Sequence, residues 1–175
     1  MRLILILTCL LAFQSAAASE FDGAFQLANK GSTAGTQTQP QTYVLVHGAS
    51  GGAWDWKLMD LLLTNRGHKV YRTTLTGLGE RAHLASKEIN LTTHITDVVN
   101  TITYEQLDQI ILVGHSYGGM VITGVMNQVP EKIKHAIFLD AAIPNHGMSA
   151  MDLWPAMAEH PVVDGQVFFS WLIKD

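Results

Sequence analysis

The chain has 175 residues, with 11 basic and 15 acidic side chains and a formal charge of −4. A hydrophobic fraction of 47% and a charged fraction of 15% suit one globular core and exclude a disordered chain. No Lys/Arg cluster appears, which excludes a strongly basic nucleic-acid binder; the single cysteine excludes a disulfide framework and a cysteine-based zinc site.

Arg2 precedes an apolar run over residues 3–13, and small residues follow with Ala16 and Ala18 in an A-x-A pattern. A basic start, a short apolar stretch and a small-residue cleavage site predict a signal peptide over 1–18, and hence a secreted or periplasmic protein. The run is too short to cross a bilayer, so no membrane contact is expected of the mature form. Cys9 does not read as a lipidation site, because Thr8 before it is large and the apolar run continues beyond it. Residues 19–41 are rich in Gly, Ser, Thr, Gln and Asn without apolar period, which predicts a flexible leader.

From residue 42 the pattern changes. Residues 43–46 form a continuous apolar run, a buried parallel strand. Trp54, Leu58, Leu61 and Leu62 fall at helical spacing, with Gly67 as the C-terminal cap. A strand over 68–72 and a polar, glycine-containing loop over 76–86 follow. Leu91, Ile95, Val98, Val99 and Ile102 make one face of a helix. A strand over 109–113, a helix over 118–129 stopped by Pro130, and a strand over 133–139 apolar on both faces complete the series. Such alternation gives an α/β fold, a parallel sheet with helices on both faces. After Pro144 the period breaks down, and residues 161–168 suggest a small hairpin around Asp164-Gly165.

Gly114-His115-Ser116-Tyr117-Gly118 matches G-x-S-x-G. Its position between a buried strand and a glycine-rich helix makes it a nucleophile elbow, which holds the Ser116 hydroxyl at the C-terminal edge of the sheet. Acyl transfer also needs an oxyanion hole. One donor is the backbone N–H of Tyr117; the other comes from the loop after the first strand, at Ala49. Gly77-x-Gly79-x-x-Ala82 fits a loose dinucleotide fingerprint, but no apolar helix opens there. No phosphate-binding G-K-[ST] loop, H-E-x-x-H or carboxylate cluster occurs, so neither an organic cofactor nor a metal is implied. Asn90-Leu91-Thr92 fits the glycosylation triplet but sits at a helix start. Trp54 and Trp56 read as core or loop anchors.

Val46-His47-Gly48, Gly52-Ala53-Trp54, Gly77-Leu78-Gly79-Glu80-Arg81, the elbow extended through Gly119, and Leu139-Asp140-Ala141 occur in this order. Over about residues 42–150 the chain resembles the α/β-hydrolase superfamily, in its branch of small esterases related to plant methyl-ester esterases and hydroxynitrile lyases. The resemblance implies a small-molecule ester substrate, Ser116 as nucleophile, and loop-shaping roles for His47 and His115. It also implies a Ser-Asp-His order, with acid and histidine on later strands beyond a cap. The core is expected over 42–144 and the start of a cap over 145–175, with the fold incomplete at the C-terminus and the family's acid and histidine missing. His146 and His160 are then the only replacement bases, with Asp140 as the local acid. His68, His83, His94 and His135 read as surface or edge residues. Any esterase activity of the chain alone is expected to be feeble and to survive Ser116→Ala, since losing the base of a serine enzyme costs about 10⁶ in turnover. A catalytically inactive ligand-binding protein and a hydroxynitrile-lyase-like enzyme stay open as alternatives. Without later strands the fourth strand becomes an exposed edge, and self-association through it is expected.

Overall fold

The computed structural model describes residues 39–153, 162–163 and 166–167. The described residues from Pro40 onward belong to one compact unit. The expected signal peptide and nearly all of the leader lie outside the described residues, as does most of 154–175, including His160.

Four strands form one parallel sheet: β1 (Thr42–Val46), β2 (Lys69–Thr73), β3 (Ile110–Ser116) and β4 (Ile133–Ala141), in the order β2-β1-β3-β4. Three helices connect them: α1 (Lys57–Thr64), α2 (Leu91–Tyr104) and α3 (Gly118–Gln128). A parallel connection is right-handed, so the direction of each step fixes its face. The step from β1 to β2 runs one way; those from β2 to β3 and from β3 to β4 run the other. Accordingly α2 and α3 share one face, where Ile95, Val98, Ile102, Val121, Ile122 and Val125 pack on Val44, Val46, Ile110 and Leu112. The opposite face buries Leu45, Ile111 and Val113 under Trp56. A four-residue helix α4 (Ala150–Leu153) follows. Val162–Val163 (β5) pairs antiparallel with Gln166–Val167 (β6), as expected of a hairpin over 161–168.

The element order matches the sequence reading, and the differences are local. The first helix is preceded by a 3₁₀ turn, Ala53–Trp56. Three residues per turn, rather than 3.6, bring Trp56 onto the sheet and leave Trp54 half exposed. Leu58 and Leu61, at helical spacing with Trp54, are also exposed. The loop over 76–86 contains a second 3₁₀ turn, Gly79–Leu84. The third strand runs three residues further than expected, so Ser116 is its last residue. The fourth reaches Ala141, with irregular register at Lys134 and Asp140. It is the sheet edge among the described residues, and Ile137 and Leu139 are exposed.

Candidate functional site

In this strand order the chain leaves β1 and β3 toward opposite faces. Their C-terminal ends therefore flank the switch point of the strand order, the crevice position where ligands usually bind in an open α/β sheet. The loop after β1 and the elbow after β3 are its two banks.

Ser116 has φ +53°, a left-handed backbone that a serine rarely adopts. Its neighbours hold it there. Its carbonyl accepts from the Ala142 N–H at 3.0 Å, across the bulge where Asp140 takes φ +43°. A Cβ on Gly118 would stand 2.7 Å from the Val46 carbonyl oxygen, so only glycine lets α3 start this close to β1. The turn thus presents the serine at the crevice, with the N-terminus of α3 directly behind it. That end of a helix favours developing negative charge.

The other bank is a turn closed by Gly51 N–H donating to the Gly48 carbonyl at 3.3 Å, with Ala49 and Ser50 at its centre. Gly48 lies against the serine: a Cβ there would be 3.2 Å from Ser116 Cβ and 3.5 Å from its Oγ. Ala49 therefore follows a residue in near contact with Ser116. Neither the Ala49 nor the Tyr117 backbone N–H has an acceptor among the described residues.

His47 is fully buried behind this turn. Its Nε2 accepts from Leu75 N–H at 3.0 Å, so the ring proton sits on Nδ1 and donates to the Gly48 carbonyl at 2.7 Å. Burial holds its pKa below the ordinary 6.5, and no nitrogen is left for a proton from Ser116. His47 shapes the turn. His115 is exposed beside the serine, with the buried Trp56 ring edge-on to it.

His94 and His68, read from sequence as surface residues, are both buried. His68 accepts from the Gln41 N–H. His94 is the site residue that sequence reasoning missed. Its Nε2–H donates to the Thr76 carbonyl at 2.9 Å, and its Nδ1 accepts from the Tyr117 hydroxyl at 2.8 Å. Burial depresses the His94 pKa and pushes that of Tyr117 up to about 12, so the pair is uncharged. The available signal was position: His94 lies on the stripe of Leu91, Ile95 and Val98.

A polar network surrounds the pair. Asp97 accepts from the Thr76 N–H and hydroxyl at 2.7 and 2.8 Å, and Arg81 Nη1 lies 3.6 Å from Asp97. Arg81 also donates to the Thr74 carbonyl at 2.8 Å. The Thr74 hydroxyl donates to Glu80 at 2.6 Å and accepts from the Ala53 N–H at 2.8 Å. The hydroxyl bond holds the Glu80 carboxyl below its usual pKa.

Among the described residues no side chain hydrogen-bonds Ser116 Oγ. His146 stands exposed in a turn and is not bonded to it; His160 lies outside the described residues. Asp140 is exposed on its bulge. No group of three His, Cys, Asp or Glu suited to a metal occurs among the described residues, and no helix there is long and apolar enough to cross a membrane.

Residues 43–174 match the alpha/beta hydrolase family. The carbendazim hydrolyzing esterase of Nocardioides sp. (strain SG-4G) is 50% identical over 113 residues, 65% of this chain and 47% of that protein. Putative methylesterase 11, chloroplastic, of Arabidopsis thaliana is 38% identical over 121 residues, 66% of this chain and 30% of that protein. Among solved structures, an extracellular alpha/beta-hydrolase from a Paenibacillus species, described as sharing structural and functional homology with tobacco salicylic acid binding protein 2, superposes with a TM-score of 0.62. It is 36% identical and covers 68% of this chain and 48% of that one. Polyneuridine aldehyde esterase superposes with a TM-score of 0.58 at 31% identity, over 69% of this chain and 48% of that one. The chain thus spans about half the length of several of these relatives. With the family match beginning at β1 and taking in the whole described sheet, the elbow is placed among its relatives: the chain belongs to the alpha/beta hydrolase family.

Proposed function

We propose that this chain carries the nucleophile and oxyanion side of a carboxylic ester hydrolase acting on a small ester. The observation that carries the reading is Ser116 itself, held at φ +53° between the Gly48 turn and the start of α3. In the reaction the Ser116 Oγ attacks the ester carbonyl carbon and loses its proton. The Ala49 and Tyr117 N–H groups receive the oxyanion. The alcohol leaves with a proton, and water later hydrolyses the acyl-enzyme. Each oxyanion donor is worth about 3–4 kcal/mol of transition-state stabilisation. The named esterase and methylesterase relatives support an ester as substrate.

The described residues supply no base to Ser116. A site with its oxyanion donors but without its base retains only about 10³–10⁴ over water. Attack on an activated aryl ester is therefore slow, and release of the acyl group by water is slower still. Intact-protein and peptide mass spectrometry after long incubation with an activated acetate ester tests the reading. One acetyl group on the peptide containing Ser116, absent from Ser116→Ala, is expected; no adduct, or the same adduct in the variant, contradicts it. A rapid turnover that His160→Ala removes would place the base in the segment 154–175. Ligand binding without turnover is the second reading, favoured by the absence of a base beside Ser116 among the described residues. It is supported by saturable binding of a small acyl or aromatic ligand with no acyl transfer to Ser116.

The N-terminal pattern supports export, with Ser19 as the first residue of the mature chain. N-terminal sequencing of the exported protein tests this, and a chain still beginning at Met1 overturns it.

A further inference from the structure

Three consecutive residues after β2 reach both banks of the crevice. The Thr74 hydroxyl accepts from the Ala53 N–H, and the Leu75 N–H donates to His47, so two points of the loop carrying Ala49 are fixed to this segment. The Thr76 carbonyl accepts from His94, whose other nitrogen takes the Tyr117 hydroxyl proton. β2 is not adjacent to β3; β1 lies between them. The side chains of His94 and Tyr117 span that gap, with ring centroids 5.7 Å apart and planes at 83°.

We infer that His94 is a positioning residue for the backbone of Tyr117, and that the strut Thr76–His94–Tyr117 holds the elbow in register with the Ala49 turn through the shared segment 74–76. The catalytic meaning of the strut rests on Ser116 being the nucleophile; its mechanical meaning does not. The geometry is specific in direction. Thr76 offers only a carbonyl, so the ring must donate there and accept from the tyrosine. Packing alone does not call for this arrangement. His94 occupies a core stripe of α2 where leucine would satisfy the hydrophobic requirement. A histidine there must find two partners or lose stability. Both partners are present, and one is the residue that follows the nucleophile.

The bond directions described are those of a neutral imidazole. Protonated His94 donates from both nitrogens, so the Tyr117 hydroxyl must turn from donor to acceptor and the bond at that end of the strut is remade. The groups facing it are Asp97 on its own helix, Arg81 in the loop after β2, His47 in the loop after β1, and Tyr117 at the start of α3. Burial holds His47 below 6.5 as well, so the test must separate the two rings.

The experiment is an NMR pH titration of the isotope-labelled full chain, following the His94 ring and the Tyr117 backbone amide. In the parent, the Tyr117 amide is expected to shift with the same midpoint as the His94 ring, below 6.5. In Tyr117→Phe the ring still titrates and His47 is untouched, yet the backbone amide at 117 no longer follows. Residue 117 amides that stay still across the His94 titration, or that move alike in both proteins, overturn the proposal. As a second readout, His94→Leu should remain folded and slow acylation of Ser116 by an activated acetate ester about tenfold, as expected for a displaced oxyanion donor. His94→Gln, which can both accept and donate, should recover most of the rate; equal rates in the parent and His94→Leu overturn the proposal. Coupling of the two titrations without any acylation in the parent supports the strut and overturns the Ser116 reading; acylation without coupling does the reverse.

Discussion

His47 and His94 use both ring nitrogens for neutral hydrogen bonds, and burial depresses both pKa values. The sign of the resulting pH dependence follows. In the unfolded chain these two rings take up protons as pH falls through 6.5, while in the native chain they do so only at lower pH, so the stabilisation is full above that value and lost progressively below it. Each unit of depression in either ring is worth about 1.4 kcal/mol. The urea midpoint should drop between about pH 7.5 and pH 5.5, and should drop less in His94→Leu. A midpoint that is flat, or a dependence unchanged in the variant, contradicts this account. His47 was legible because it stands in a motif next to the glycines of the loop. His94 was not, because a histidine on a helical stripe gains its role only from Thr76 and Tyr117, 18 and 23 residues away in sequence.

Elements were easier to read than their contacts. The strands were found by apolar runs, and α2 by its stripe of Leu91, Ile95, Val98 and Ile102. Its start is fixed locally: Asn90 Oδ1 accepts from the Thr92 and Thr93 N–H groups, and Thr93 bonds back to the Asn90 N–H. Asn90→Ala should cost about 1 kcal/mol in chemical denaturation, and no change would refute the cap. The elbow is fixed by backbone proximity that no pattern encodes. In Gly118→Ala the new methyl meets the carbonyls of Val46 and His47 at 2.7 and 2.9 Å. Because backbone cannot yield as a side chain can, the change should destabilise by about 2–3 kcal/mol and displace Ser116. A folded variant with parent stability and parent acylation would refute the close approach. The 3₁₀ turn at Ala53–Trp56 misled the sequence reading for a similar reason. The Ala53 N–H donates to the Thr74 hydroxyl and Arg72 donates to the Ala53 carbonyl, and both partners lie about twenty residues downstream, at separations of 21 and 19.

At the scale of the molecule, the parallel sheet with helices on both faces followed from the alternation of patterns, and the described residues agree, while the strand order came from the structure. The outer edge of β4 is open among these residues, with Ile137 and Leu139 at 44% and 46% exposure on one face. Open apolar edges pair with other chains. Sedimentation at rising concentration should show self-association, reduced by Ile137→Lys together with Leu139→Lys; a monomer at all concentrations refutes it. The base for Ser116 belongs to this scale too. The chain spans about half the length of several relatives, and the described residues set no proton acceptor beside Ser116, the proposed nucleophile. The most direct measurement is chromophore release from a short-chain aryl ester by the full chain and by Ser116→Ala. The account predicts a slow burst of one equivalent in the parent, no burst in the variant, and the same low steady rate in both. Burst-free release, or an equal burst in Ser116→Ala, would contradict the assignment of Ser116 as the acyl acceptor.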